Sequence, residues 1–147
     1  MKKQPLGLYI HIPYCIHKCG YCDFNSHPIK HDEMDHYIDA LAAEIKHYAK
    51  IYSKTNIIKT IFLGGGTPTT LTVYQLERIL KECVKKFKVA PDAEITVEAN
   101  PATVDVELMK SIRKSGYNRI SIGVQSFDKA ELKLLDRAHG PEEVHST

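Results

Sequence analysis

The 147-residue sequence lacks several features that mark other classes of protein. It has no apolar stretch of about 18 residues, so no membrane span is predicted. It has no run of about five basic residues, and a net charge of +2 is too small to indicate a nucleic-acid partner. Its N-terminal apolar run is short and interrupted by Gly, His and Pro, which argues against a signal peptide. A hydrophobic content of 43% and a charged content of 26% then predict a globular, cytoplasmic protein.

Cysteine is scarce as well, but three of the four cysteines are close together. Cys15, Cys19 and Cys22 lie in the stretch "HIPYCIHKCGYCDFNSH", residues 11–27. In a reducing compartment such a cluster suggests metal binding or catalysis rather than disulfides. Cys83 lies on the apolar stripe of a predicted helix, and we expect it to be a buried core thiol.

Strand and helix patterns alternate along the chain. Short apolar or β-branched segments predict strands at 7–12, 57–63, 94–98 and 119–124. Helical spacing of apolar residues predicts helices at 32–52, 73–87, 104–115 (with Gly116 as its C-cap) and 128–137, and another beginning within 140–144. This alternation predicts an α/β fold with a parallel sheet, either open or closed into a barrel.

Polar or glycine residues follow each predicted strand. The first strand precedes the cysteines, and the second precedes "GGGTP" at 64–68. The third ends in Glu98, and Gln125 follows the fourth. Because the carboxyl ends of parallel strands share one edge of a sheet, these residues are predicted to form one site.

Three clustered cysteines fit two kinds of metal site, and the ordinary alternative to both is free thiols. They can bind three irons of a four-iron, four-sulfur cluster and leave the fourth iron open, whereas ferredoxins use four cysteines. A zinc site would need a fourth ligand, which His11, His17 or His27 could supply. The spacing alone favours the cluster.

The other candidate residues also have two interpretations each. The glycine run can form a tight turn, or it can expose backbone to a ligand, although no Gly-Lys-Ser/Thr follows as in a phosphate-binding loop. Glu98 could bind hydroxyl or ammonium groups, Gln125 can donate and accept hydrogen bonds, and Arg137 suits a carboxylate. For charged residues the ordinary alternative is a solvated surface.

The cysteine motif resembles the signature of the radical S-adenosylmethionine (SAM) superfamily. Four longer stretches are similar to the anaerobic coproporphyrinogen III oxidase family and its haem chaperone relatives: "LYIHIPYCIHKCGYCDFNSH", "IFLGGGTPTTL", "VEANP" and "RISIGVQSFDKAELKLLDRAHG". The resemblance extends from about Leu8 to about Val144. It implies a partial TIM-like barrel of about four βα units, truncated, in which residues 1–147 are the N-terminal part of a radical SAM core domain. The rest of the barrel and a C-terminal domain would then be absent.

The resemblance also implies cofactors and the residues that bind them. A [4Fe-4S] cluster is implied on Cys15, Cys19 and Cys22. SAM is implied to contact Tyr9, Tyr21, Gly65, Gly66, Thr67, Glu98, Gln125 and Arg137. The implied chemistry is electron transfer from the reduced cluster to SAM, which yields methionine and a 5′-deoxyadenosyl radical.

One residue distinguishes two branches of this family. Phe24, in "CDF", stands where the oxidase branch has a fourth cysteine, and "CDF" resembles the haem chaperone branch. We therefore expect a protein that binds haem and delivers it to an acceptor protein, with an electron donor for the cluster. The alternative is an oxygen-independent coproporphyrinogen III oxidase, which decarboxylates a porphyrinogen. No histidine is assigned to haem, and half a barrel is expected to be marginally stable and to have little activity alone.

Overall fold

The structure is a computed structural model that describes residues 3–146. The strands, in chain order, are β1 (Gln4–Ile12), β2 (Tyr14–Cys15), β3 (His27–Pro28), β4 (Asn56–Gly65), β5 (Val89–Ala99) and β6 (Arg119–Ile122). The α-helices are α1 (His31–Tyr52), α2 (Val73–Lys86), α3 (Val106–Lys114), α4 (Lys129–Leu134) and α5 (Pro141–Ser146). Two short 3-10 helices, Pro68–Thr70 and Pro101–Thr103, follow the ends of β4 and β5.

Four of the strands form one parallel sheet in the order β1-β4-β5-β6. The connection from each strand to its neighbour contains a helix, first α1, then α2, then α3. Parallel neighbours joined by helices are the repeating unit of a (β/α) barrel. The predicted α/β fold is confirmed as a partial TIM-like barrel.

The core lies between this sheet and the helices α1 and α2. The strands contribute Ile12, Ile61, Leu63 and Val97, all 0% exposed. Burying each such side chain stabilises the fold by about 1.5–3 kcal/mol. Cys83 of α2 belongs to the same cluster and is also 0% exposed, which confirms that it is a core thiol. Within residues 3–146, no helix is long and apolar enough to cross a membrane.

Strand β5 begins at Val89, earlier than the predicted range of 94–98. Pro91 lies inside the strand, and the pairing of β4 with β5 shifts register between Ile58 and Thr60. Proline has no N–H to donate and is tolerated in strands at such irregularities. The proline therefore hid the first half of the strand from the sequence pattern.

Helix α4 ends at Leu134 rather than at the predicted residue 137. Asp136 has a φ of 54°, in the left-handed region. The N–H of Arg137 donates to the carbonyl of Leu132 at 3.0 Å, and the N–H of Asp136 donates to Lys133 at 3.1 Å. This pair of bonds is the Schellman motif that ends many helices.

Helix α3 begins at Val106 rather than at residue 104 because Asp105 caps it. The Asp105 carboxylate accepts a hydrogen bond from the Leu108 N–H at 2.7 Å. At the other end, Gly116 follows the helix with a φ of +110°. That conformation favours glycine, as expected for the residue that ends the helix.

Candidate functional site

A cavity of about 490 Å³ opens at the carboxyl ends of the strands, beside the loop that carries the three clustered cysteines. Its lining includes most of the predicted site residues: Cys15, Cys19, Tyr21, Cys22, Gly65, Gly66, Thr67, Glu98, Gln125 and Arg137. The parallel sheet thus brings together residues that are up to 122 positions apart (137 − 15). Phe24 lies on the same lining and is 66% exposed.

Tyr9 is the predicted site residue outside the lining of this cavity, although burial and the negative charge of Glu98, which does line the cavity, both raise the pKa of its hydroxyl. It is 61% exposed and lines a separate groove along β1, together with Tyr37 and Tyr48. Its hydroxyl lies 3.1 Å from Nδ1 of His11. A contact of Tyr9 with SAM stays a prediction.

The cysteine loop, residues 15–28, is held at both ends by backbone pairing. Strands β2 and β3, which the sequence pattern did not predict, form a small parallel sheet. The N–H of Ile29 donates to the Cys15 carbonyl at 3.0 Å, and the N–H of Cys22 donates to the Cys19 carbonyl at 3.0 Å. Cys15 and Cys19 are buried and Cys22 is half-buried, and all three are free thiols.

The glycine turn after β4 brings three backbone N–H groups close to neighbouring segments. Gly65 donates to Oε2 of Glu98 at 3.2 Å, Gly66 to the Ile12 carbonyl at 2.7 Å, and Thr67 to the Tyr14 carbonyl at 2.7 Å. These bonds use the N–H groups on which an anion-binding nest would depend. The turn is therefore not arranged to bind a phosphate.

The backbone requires glycine at two of these positions. Gly65 has a φ of +117°, a backbone conformation that residues with a side chain rarely adopt. A Cβ on Gly66 would lie 2.5 Å from the Tyr14 carbonyl oxygen, well inside contact distance. The tight-turn interpretation of the glycine run therefore applies, and it allows the run to lie against the cysteine loop.

Gln125 lies just after β6 in an unusual backbone conformation. Strand β6 ends at Ile122, not at the predicted residue 124, because the Val124 N–H turns back to the Ile122 carbonyl at 3.0 Å. Gln125 then has a φ of 70°, which is uncommon for a residue other than glycine. Strained backbone of this kind occurs often at functional sites.

The guanidinium of Arg137 joins several parts of the cavity wall. One terminal nitrogen, Nη2, donates to the Gly123 carbonyl at 2.7 Å. The other, Nη1, lies 3.4 Å from Sγ of Cys19 and 3.5 Å from the Tyr21 hydroxyl. Its Nε atom is buried and has no hydrogen-bond partner among the described residues. A buried donor without a partner lowers the stability of the fold by about 1–3 kcal/mol.

His139 is a buried polar residue of the site that sequence reasoning missed. It is 4% exposed, with Nε2 3.0 Å from the Val124 carbonyl oxygen and Nδ1 3.2 Å from Oδ1 of Asn100. Burial lowers the pKa of His139, and the positive charge of Arg137 lowers it further, whereas the hydrogen bond to Val124 opposes the shift. Histidines in loops are often exposed, so the sequence offered one indication that His139 belongs to the site: it lies two residues after Arg137.

The histidines considered as zinc ligands have other partners. Nε2 of His11 lies 2.8 Å from the Asn25 carbonyl oxygen, Nε2 of His17 lies 2.9 Å from Asp136, and Nδ1 of His27 lies 3.1 Å from the Pro28 carbonyl oxygen. In the part of the chain that the structure describes, no group of three or more His, Cys, Asp or Glu is already arranged around a metal position. Neither a closed zinc site nor the three-thiol face of a cluster is therefore preformed in this part of the chain, and the type of donor, not a preformed geometry, is what indicates the metal.

The chain also matches a known protein family. The family model of the radical SAM superfamily matches residues 9–147. The chain belongs to the radical SAM superfamily. This family implies a [4Fe-4S] cluster and SAM, and the site fits both groups in its donor chemistry: three free thiols, a carboxylate, and a buried guanidinium donor without a partner.

Individual relatives indicate where in this superfamily the chain lies. It is 46% identical over 145 residues to the heme chaperone HemW of Escherichia coli (strain K12), and 39% identical over 140 residues to that of Bacillus subtilis (strain 168). These matches cover 98% and 95% of this chain but only 38% and 37% of those proteins. The chain therefore spans less than two-fifths of the length of these relatives.

A solved structure shares the fold. The structure described as coproporphyrinogen III oxidase (HemN) from Escherichia coli, a radical SAM enzyme, superposes with a TM-score of 0.88 at 35% identity. The match covers 97% of this chain and 33% of that one. The partial barrel thus corresponds to about a third of a larger radical SAM protein.

Proposed function

We propose that this chain is the N-terminal part of the radical SAM core domain of a haem chaperone. The observation that carries the proposal is the cavity in which the three free thiols of Cys15, Cys19 and Cys22 share a lining with Glu98 and Arg137. In this proposal the thiolates hold a [4Fe-4S] cluster, and the same cavity binds SAM. When bound, the cluster supplies an open iron and an electron for the sulfonium of SAM.

The remaining residues would bind and orient SAM. Glu98 is an acceptor for the ammonium or ribose hydroxyl groups, and its position is fixed by the hydrogen bond from Gly65. The partnerless Nε of Arg137 is suited to the carboxylate of the methionine end. The Tyr21 ring, 49% exposed at the cavity, can cover the adenine, and Gln125 can donate to and accept from the nucleoside.

The haem chaperone is favoured over the oxidase by two observations. The two relatives described above, at 46% and 39% identity, carry the name heme chaperone, whereas the solved oxidase is 35% identical. Phe24 stands in the cavity lining where the oxidase branch is expected to have a cysteine. The ligand would be haem, its recipient an acceptor protein, and the compartment the cytoplasm, where the free thiols stay reduced.

The first test is anaerobic reconstitution of this chain with iron and sulfide. We expect about four irons and four sulfides per chain, and an electron paramagnetic resonance (EPR) spectrum of the reduced protein that changes when SAM is added. Cys15→Ala should abolish the cluster, whereas Cys83→Ala is the matched control that keeps it, because Cys83 lies in the core. Zinc without sulfide would overturn the cluster and with it the proposal.

The second test separates the two branches and uses a longer protein of the length of the relatives. Haem binding is followed by absorption spectroscopy, and turnover of coproporphyrinogen III is followed under anaerobic conditions. Haem binding without decarboxylation supports the chaperone. Decarboxylation of the porphyrinogen would instead assign the chain to the oxidase branch.

A further inference from the structure

We propose that Thr67 and Arg137 raise the reduction potential of the cluster by donating hydrogen bonds to the sulfurs of Cys15 and Cys19. The proposal rests on the proposed function, since it requires these cysteines to hold the cluster. It adds a role for two residues for which the family resemblance implies only contact with SAM.

The Thr67 hydroxyl is directed at the first of these sulfurs. Its Oγ1 lies 3.7 Å from Sγ of Cys15, and the residue is 8% exposed. The backbone on both sides of the contact is fixed. The Thr67 N–H donates to the Tyr14 carbonyl at 2.7 Å, and the Thr67 carbonyl accepts from the Thr70 hydroxyl at 2.8 Å. The hydroxyl is therefore already in place beside the sulfur.

The Arg137 guanidinium contacts the second sulfur. Nη1 lies 3.4 Å from Sγ of Cys19. The hydrogen bond from Nη2 to the Gly123 carbonyl, at 2.7 Å, fixes the orientation of the guanidinium plane. The backbone bond from the Arg137 N–H to Leu132 fixes the start of the side chain. Because arginine keeps its charge in proteins, this donor is always positive.

The third sulfur differs from the other two. Cys22 is half-buried, and among the described residues no side chain donates to its Sγ. The two buried sulfurs, by contrast, each have one side-chain donor. The donors thus contact the sulfurs that are shielded from water, where a hydrogen bond is electrostatically stronger.

These contacts have a direct consequence for the potential. Hydrogen bonds to cluster sulfurs, net charge and solvent exposure set the potential of an iron–sulfur cluster. Reduction adds one negative charge, so a donor or a positive charge beside a sulfur stabilises the reduced state more than the oxidised state. Both residues should therefore raise the midpoint potential, and charged Arg137 should raise it more than Thr67.

The test is a redox titration of the reconstituted chain, followed by EPR and carried out without SAM so that ligand contacts do not contribute. We expect Thr67→Val and Arg137→Gln to lower the midpoint potential, with the larger shift in Arg137→Gln. Thr67→Ser keeps a hydroxyl and should stay near the wild-type value. Arg137→Lys keeps the positive charge but lacks the planar guanidinium, and its midpoint potential should lie between those of wild type and Arg137→Gln.

Matched substitutions outside the cavity serve as controls. Thr55→Val removes a hydroxyl that precedes β4, at the other end of the strand, and Arg78→Gln removes an arginine of α2 that pairs with Asp39. Neither should move the potential. If Thr67→Val and Arg137→Gln assemble the cluster and their potentials equal that of wild type, this inference is overturned while the proposed function stands. If the wild-type chain assembles no cluster, both are overturned.

A second measurement does not depend on the assembly of the variants. Resonance Raman spectra of the wild-type cluster in H₂O and D₂O report hydrogen bonds to the cysteine sulfurs through shifts of the iron–sulfur stretching modes. We expect these modes to shift in wild type, where two of the three cysteine sulfurs have a side-chain donor. An unshifted wild-type spectrum would refute the proposal even if Thr67→Val and Arg137→Gln do not fold.

Discussion

The imidazole of His17 and the carboxylate of Asp136 lie 2.9 Å apart, from Nε2 to Oδ2. His17 belongs to the cysteine loop, between Cys15 and Cys19, and Asp136 immediately precedes Arg137. The contact therefore joins the segment with the candidate cluster ligands to the segment with the arginine. Both side chains are largely exposed, so it should contribute no more than about 1 kcal/mol to stability.

Backbone conformation at Asp136 should matter more than its side-chain contact. Asp136 has a φ of 54°, a conformation that costs Ala about 1–2 kcal/mol but that Gly adopts freely. We expect Asp136→Ala to lower the free energy of unfolding by about 1 kcal/mol, and Asp136→Gly to lower it less, as measured by urea denaturation. His17→Ala removes only the contact and is the control. Equal losses of unfolding free energy in the Ala and Gly variants would show that the contact with His17, and not the backbone conformation of Asp136, determines the effect.

The close approach at Gly66 gives a second stability prediction. A Cβ there would lie 2.5 Å from the Tyr14 carbonyl oxygen, which belongs to the backbone and cannot move away alone. We expect Gly66→Ala to lower the free energy of unfolding by about 1–3 kcal/mol, because the turn must separate from β2. Gly20→Ala is the matched control, since its nearest atoms would be 3.8 Å away. Equal unfolding midpoints for the two variants would contradict the prediction.

The sequence predicted the candidate site well where periodic structure positions the residues. Glu98 and Gln125 follow strands, and parallel strands must deliver their carboxyl ends to one edge. The contact of Arg137 with Cys19 could not be predicted in this way, because it depends on where α4 ends. That end is set by the left-handed Asp136, which no apolar pattern indicates.

Burial of polar residues was the other part that the sequence left open. Histidine is typical of exposed loops, yet His139 is 4% exposed. Its Nε2 lies 3.0 Å from the Val124 carbonyl oxygen, which can accept the one N–H of a neutral imidazole, and its Nδ1 lies 3.2 Å from Oδ1 of Asn100 and 3.5 Å from Nη2 of Arg137, which can donate to it. Partners so distant in sequence become visible only in the fold. Tyr9 shows the opposite case, because its place on a strand gave no indication that it lines the groove along β1 and is absent from the lining of the cavity.

The buried Cys83 and the half-buried Cys22 should differ strongly in thiol reactivity. Burial raises the pKa of Cys83 to about 12, and the thiolate is the species that reacts with alkylating agents. At about pH 8, only about one Cys83 in 10⁴ is then ionised. We expect iodoacetamide to label Cys22 in the folded, cluster-free chain and to leave Cys83 unmodified, as measured by peptide mass spectrometry. In urea the two should react alike, and labelling of both in the folded chain would contradict the assigned core.

The burial of His139 also predicts how stability depends on pH. The folded-state pKa of His139 is lowered by burial and by Arg137, while Val124 and Glu143 act in the opposite direction. Below the ordinary histidine pKa of about 6.5, the unfolded chain therefore binds the proton more readily than the folded chain. The contribution of His139 to the free energy of unfolding is thus full above about pH 6.5 and declines as the pH falls towards the folded-state pKa.

Urea denaturation at about pH 7.5 and about pH 5.5 measures this effect. Wild type should lose more stability between the two conditions than His139→Gln, which lacks the titrating ring. His36→Gln, at an exposed position of α1, is the control for replacing a histidine that is not buried. The same decline in His139→Gln as in wild type would show that His139 does not titrate differently in the folded chain. A smaller decline in that variant alone would assign the acid sensitivity to the histidine that connects Asn100, Val124 and Arg137.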